Sequence, residues 1–325
     1  MEKTYIKNFI LFLIALISFI NLSCDAPHLN PLDPQNPLKK SYSIDGYVFT
    51  FSLPRLPISN ALVIWQNENK AVLTSSNGYF KIDVQNFANG WLKVIQDGYK
   101  QDSTFIIWKS NKFYKEFYLN QIPQVDSIEF YSILLNQYPN LQSTTLNLRV
   151  KISDRDNDID SVFFERSSDK LKFLLNYNPQ TKFYERSFDE FDLNVDDLSE
   201  LIGIKFNILV KDFSGDLFKI GEEKLNRIIK NEVTLESPLN NDTVSARPFL
   251  RWRRFIPGFK FSFSVEVFND EFPPRTVWSK ENISMDETEI QVNTNLPSGN
   301  YFWVVWCVDQ FLNRARSKPG SFVVK

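Results

Sequence analysis

The chain has 325 residues, 43% hydrophobic and 15% aromatic, with a formal net charge of −2, two cysteines and one histidine. That apolar content excludes wholesale disorder, and the weak acidity gives no electrostatic basis for binding nucleic acid. The one histidine, His28, lies in a proline-rich stretch, which excludes catalysis that needs an imidazole base and zinc sites built on imidazole or several thiolates. Thirty Phe and 12 Tyr among many Val, Ile and Thr favour strands over helices.

At the N-terminus, Lys3 and Lys7 precede an apolar run, Phe9–Ile20, which is followed by Asn21-Leu22-Ser23-Cys24. The run is 12 residues long, short of the roughly 20 that span hydrocarbon. Residues 1–23 therefore read as a secretory signal. Cys24 directly after the small Ser23 resembles the lipobox of bacterial lipoproteins, with Asn21 where that family favours Leu. The resemblance implies cleavage before Cys24, a diacylglycerol on its thiol and an acylated amine. It also implies a place in the bacterial cell envelope, on the outer membrane. In residues 24–41, Pro27, Pro31, Pro34 and Pro37 recur every three or four positions, the pattern of a semi-rigid tether. The second cysteine, Cys307, sits in the apolar run Tyr301–Val308 and reads as a buried, unpaired thiol.

Residues 42–121 alternate short strands with turns. Gly46-Tyr47-Val48, Pro57-Ile58-Ser59-Asn60-Ala61-Leu62-Val63, Thr74-Ser75-Ser76-Asn77-Gly78-Tyr79-Phe80 and Gly98-Tyr99 follow in order. This order resembles the carboxypeptidase regulatory-like (transthyretin-like) β-sandwich, a noncatalytic domain. Asn60 replaces the Gly that the family prefers, and Asn tolerates the left-handed region best among the alternatives. Thr74–Ile82 is expected to be a hairpin, with Asn77-Gly78 supplying positive φ.

In residues 122–231, Leu146, Leu148 and Val150 alternate with polar residues, as do Phe206, Ile208 and Val210. Lys211-Asp212-Phe213-Ser214-Gly215-Asp216 resembles the last hairpin of immunoglobulin-like domains, which implies a sandwich of that kind. One helical turn is expected within Val195–Leu201. The loop Asp154-Arg155-Asp156-Asn157-Asp158-Ile159-Asp160 has two readings. Alternate carboxylates of Asp154, Asp156, Asp158 and Asp160 can ligate calcium, as in cadherin-like domains, or they can cap local backbone N–H groups. An EF-hand is excluded, because Ile159 occupies the position that needs Gly and the flanks read as strands. A second acidic run, Asp189 to Glu200, reads as a solvated face.

In residues 232–325, Phe261, Phe263, Val265 and Val267 alternate with polar residues. Leu296-Pro297-Ser298-Gly299-Asn300-Tyr301-Phe302-Trp303-Val304-Val305 resembles the fibronectin type III signature. That resemblance implies structural roles for Trp252 and Trp303 in the core and a tyrosine corner at Tyr301. The expected fold class is all-β, with tandem immunoglobulin-like β-sandwiches after the signal peptide and Pro-rich linker. The expected function is noncatalytic: a lipid-anchored envelope protein that binds or adheres, with a polysaccharide or protein ligand, no cofactor other than the calcium alternative, and no nucleic acid partner. The alternatives are a scaffold subunit of an envelope complex and, remotely, a carboxylate-only hydrolase, which would need an acidic cleft.

Overall fold

The computed structural model describes residues 42–325. The signal peptide, Cys24 and the tether lie outside the described residues. Strands hold 56% of the described residues and helices 4%, so the fold is all-β. It divides into two compact units after Asn120.

In the first unit, β1 (Tyr42–Thr50), β4 (Tyr79–Val84) and β7 (Lys112–Leu119) form one sheet in the order β4-β1-β7. The other sheet, in the order β3-β2-β5-β6, comprises β2 (Leu62–Trp65), β3 (Lys70–Leu73), β5 (Gly90–Ile95) and β6 (Asp102–Ile106). Period-2 alternation sends Ile44, Val48, Phe80, Ile82, Phe117 and Leu119 from one sheet against Val63, Trp65, Leu92, Val94 and Ile106 from the other. Gly46 is required: a Cβ there would overlap the carbonyl of Lys115 on β7.

The expected hairpin at Thr74–Ile82 does not form, because β3 pairs with β2 while β4 pairs with β1. The connection instead crosses between the sheets. Asn77 Oδ1 accepts from the N–H of Tyr79 (3.1 Å) and from Ser75 Oγ (2.7 Å). This side-chain turn leaves positive φ to Gly78 alone (80°).

The second unit starts with β8 (Gln124–Gln137), β9 (Leu141–Ser153), β10 (Ile159–Arg166), β11 (Lys172–Asn178), β12 (Phe183–Phe188), β13 (Lys205–Asp212) and β14 (Leu217–Lys224). Their inward faces build a phenylalanine core. Phe164 and Phe206 stack at 4.3 Å, and Phe130 meets Phe164 edge-on at 5.0 Å. Two short helical turns, Glu190–Leu193 and Leu198–Leu201, sit between β12 and β13. The acidic run caps both: Asp189 pairs with Asp192, and Asp197 with Glu200, as reciprocal capping boxes. The turn expected within Val195–Leu201 forms at Leu198–Leu201, and Glu190–Leu193 precedes it as a second.

The unit continues with β15 (Leu235–Ser237), β16 (Asp242–Val244), β17 (Phe249–Trp252), β18 (Phe261–Asn269), β19 (Thr276–Ile283), β20 (Glu289–Gln291), β21 (Gly299–Asp309), β22 (Arg314–Arg316) and β23 (Gly320–Val324). Phe263, Val265, Val267, Trp303, Val305 and Phe322 fill a second core.

The two cores share one sheet. β22 pairs in parallel with β8, placing Arg314, Ala315 and Arg316 beside Ile133, Leu134 and Leu135. β8 is 14 residues long, enough for Phe130 to enter one core and Leu134 the other. Asn313, fully buried, accepts through Oδ1 from the N–H (2.9 Å) and Oγ (3.1 Å) of Ser132. Asn136 Nδ2 donates to the carbonyl of Arg316 (2.8 Å), and Arg227 Nε lies 3.2 Å from Asp309 Oδ2. The second and third segments, each with its own core, are therefore joined through one sheet into a single compact unit.

Candidate functional site

The loop between β9 and β10 carries the four candidate metal ligands. Asp154 uses both oxygens on backbone: Oδ1 accepts from the N–H of Asp156 (3.2 Å) and Oδ2 from that of Asp158 (2.9 Å). Asp156 Oδ2 accepts from the N–H of Gln121 (3.2 Å). Asp160 turns away, with Oδ2 3.1 Å from Ser161 Oγ and 3.4 Å from Lys211 Nζ. The structure thus gathers Asp154, Asp156 and Asp158 and diverts Asp160 into an ion pair. Sequence reasoning missed Asp212, at the end of β13, which is 1% exposed and adds its charge to the group. Among the described residues, no three His, Cys, Asp or Glu side chains are arranged to hold a metal ion.

Asp158 is the distinctive member. Its Oδ1 is buried and has no hydrogen-bond partner. Burial, then the charges of Asp154, Asp212 and Asp156, pushes its pKa from 3.8 up to about 6. Because the folded value lies above the unfolded one, this group's stabilising contribution is complete below pH about 4 and is lost as pH rises through about 6. Asp158→Asn should therefore stabilise the chain at pH 7.5 by about 1–2 kcal/mol, allowing for solvent screening, and change nothing at pH 4. Thermal melts at the two pH values check this, and an equal effect at both would contradict it.

The aromatic positions singled out in the last segment are structural. Trp252 is 1% exposed, and Trp303 is fully buried and donates Nε1–H to the carbonyl of Pro238 (2.9 Å). Tyr301 Oη donates to the carbonyl of Pro297 (2.8 Å), closing a tyrosine corner. Cys307 is free and fully buried; burial and the Asp309 charge push its thiol up to about 12, which leaves it protonated and unreactive at neutral pH.

The outward faces of the first unit carry exposed aromatics, which the sequence alone gives either to a sugar-binding face or to packing. On the three-stranded sheet, Tyr47 stacks on Phe49 (5.7 Å) and Phe49 on Tyr118 (6.2 Å), with the Arg55 guanidinium 4.1 Å above Tyr118. Glu116 accepts hydrogen bonds from Tyr114 Oη (2.7 Å) and from Tyr118 Oη. These contacts hold Glu116 below the usual carboxylate range and push Tyr114 up to about 12. On the four-stranded sheet, Trp91 and Phe105 lie opposite each other, each 47% exposed. The signal was present: Lys93 shares the Trp91 side of β5, which marks that side as the solvent face.

No family model matches the chain, and no curated protein matches it. Among solved structures it is similar to the fibronectin(III)-like modules of CbhA from Clostridium thermocellum, at 13% identity over 62% of this chain and 93% of that one, with a TM-score of 0.30. It is also similar to the FN1–FN3 domains of chicken CNTN1, at 11% identity over 82% and 90% of the two chains, with a TM-score of 0.34. For BcpA, the major pilin subunit of Bacillus cereus, the values are 10% identity, 88% and 98% coverage, and a TM-score of 0.26.

Proposed function

We propose that this chain is an exported, noncatalytic binding module, held to the bacterial outer membrane by a lipid on Cys24, with a polysaccharide or protein ligand. The observation that carries the binding reading is the aromatic display on the outer faces of the first unit. An inert spacer would present polar residues there, since the outward positions of a sandwich sheet are ordinarily solvated. The acidic groups support binding over hydrolysis. Asp189, Asp192, Asp197 and Glu200 close helix caps, and Asp154 caps its own loop.

A scaffold role has one observation in its favour, the continuous sheet through the second unit, which makes a stiff strut. A stoichiometric protein partner recovered with the full chain from detergent-solubilised membranes would favour that role. The calcium reading is tested by melting with and without EDTA. The capped loop predicts an unchanged midpoint, and a calcium-dependent rise would assign an ion to Asp158 and its neighbours.

The anchor has its own test. Mass spectrometry of the mature N-terminus should find a diacylglyceryl-modified Cys24, and Cys24→Ala should release the protein from the membrane fraction. An unmodified N-terminus, or a Cys24→Ala protein that stays with membranes, would contradict it.

A further inference from the structure

We propose that the groove beside Trp91, on the outer face of the four-stranded sheet, binds a pyranose ring of a neutral polysaccharide. The proposal rests on the binding-module reading and adds to it a ligand class and a site. The placement follows from the register. In β5, Leu92 and Val94 are fully buried, which turns Trp91 and Lys93 to the opposite face, beside Phe105 and Ser103 of β6. Phe105 meets the indole at 5.3 Å with the rings 68° apart, an edge contact that holds Trp91 in place.

Trp91, Gln66, Lys93, Gln101, Asp102 and Ser103 line a groove of about 320 Å³. Asp102 Oδ1 accepts from the N–H of Ser103 (2.7 Å). Among the described residues, the side chains of Gln66, Lys93 and Gln101 have no hydrogen-bond or ionic partner. The other tryptophans differ: Trp65, Trp108, Trp252, Trp278 and Trp303 are buried and Trp306 is half-buried.

A pyranose ring presents an apolar C–H face edged by hydroxyls. An exposed indole covers that face, and the groove surrounds it with matching polar groups. Each amide both donates and accepts, the ammonium donates and the carboxylate accepts. Lys93 and Asp102 cancel in charge, which selects a neutral sugar over a uronic acid polymer. The volume is at the small end for ligand sites, enough for one residue of a chain that runs on across the open surface. A protein interface would be depleted of charged side chains at its centre, whereas here Lys93 and Asp102 line the same groove as the indole.

The test is affinity electrophoresis of the full chain in gels containing soluble glucan, xylan or mannan, with polygalacturonate as the acidic arm, alongside acrylamide quenching of tryptophan fluorescence. At least one neutral polymer should retard the chain and protect Trp91 from quenching. Trp91→Ala should weaken retardation by more than about tenfold, as for an aromatic hot spot. Gln66→Ala and Gln101→Ala should each weaken it about threefold to tenfold, as for one hydrogen-bonding side chain. An unchanged melting midpoint in Trp91→Ala would show that the exposed substitution leaves the fold intact. Equal retardation of Trp91→Ala and wild type would overturn the site and leave the binding reading standing. Retardation by polygalacturonate alone would overturn the neutral ligand. No retardation by any polymer would overturn the polysaccharide; a protein ligand bound reversibly and saturably would then carry the binding reading, and its absence as well would sink both.

Discussion

Asn313→Ala should split the melting of residues 121–325 into two transitions and lower stability by about 2–4 kcal/mol. Asn313 is fully buried where the two cores of the second unit meet, and its Oδ1 is the acceptor for both the N–H and the hydroxyl of Ser132, itself fully buried. Removing that oxygen leaves the buried Ser132 N–H without a partner and its hydroxyl with only a long bond to the Arg227 carbonyl (3.4 Å), the costly case for a hydrogen bond. The loss falls where only three residues of β22 pair with β8, so the coupling between cores weakens before either core does. Asn313→Asp is the diagnostic companion. It keeps an acceptor for Ser132, but it sets a second carboxylate where Nδ2 now donates to Asp309 Oδ2 at 3.1 Å. That variant should be unstable at pH 7 and recover in acid, as one carboxyl gains a proton and can donate again. Calorimetry over pH 4–8 reads both effects. One undivided transition at the wild-type midpoint in Asn313→Ala would mean that this contact does not join the cores.

Trp303→Ala should cost about 3–5 kcal/mol, the range for deleting a large buried aromatic side chain. Trp303 is fully buried on β21, between Val267 of β18 and Gly320 of β23. Its indole lies so close to Gly320 that a Cβ there would come within 2.8 Å of Nε1. The truncation opens a cavity and also orphans the Pro238 carbonyl that Nε1–H satisfies. Against a domain stability of about 5–15 kcal/mol, this is a large fraction. Trp303→Phe fills most of the space and should lose only about 1–2 kcal/mol, mainly the hydrogen bond. Urea unfolding of the full chain measures both. The transition of the first unit should not move, because its core contains no residue of the second.

What was legible in the chain was what depends on local period. Phe261, Phe263, Val265 and Val267 alternate over β18, and all four are buried. Asp212 to Leu217 turns between paired strands β13 and β14. What was not legible depends on partners distant in sequence. Arg314-Ala315-Arg316 fits a final hairpin with β21, and it pairs that way, but nothing in the run announces its second, parallel pairing with β8. Asn313 reads as a loop residue until Ser132, 181 positions away, arrives beside it. Asn77-Gly78 carries a hairpin signal that the Asn77 side chain redirects. The Asp154–Asp160 loop divides the same way: its capping role is local and was among the readings, while the Asp212 charge that raises Asp158 comes from β13. For Trp91 the alternation with Leu92 and Val94 was visible, but which side faced water was settled by packing.

The most direct test of the central claim, a protein that binds its ligand and does not cut it, is isothermal titration of the full chain with the neutral polysaccharides, followed by reducing-end analysis of the recovered polymer. The account predicts saturable heat with one of them, lost in Trp91→Ala, and no new reducing ends. New reducing ends would contradict it, and so would no heat with any polymer together with no saturable protein ligand.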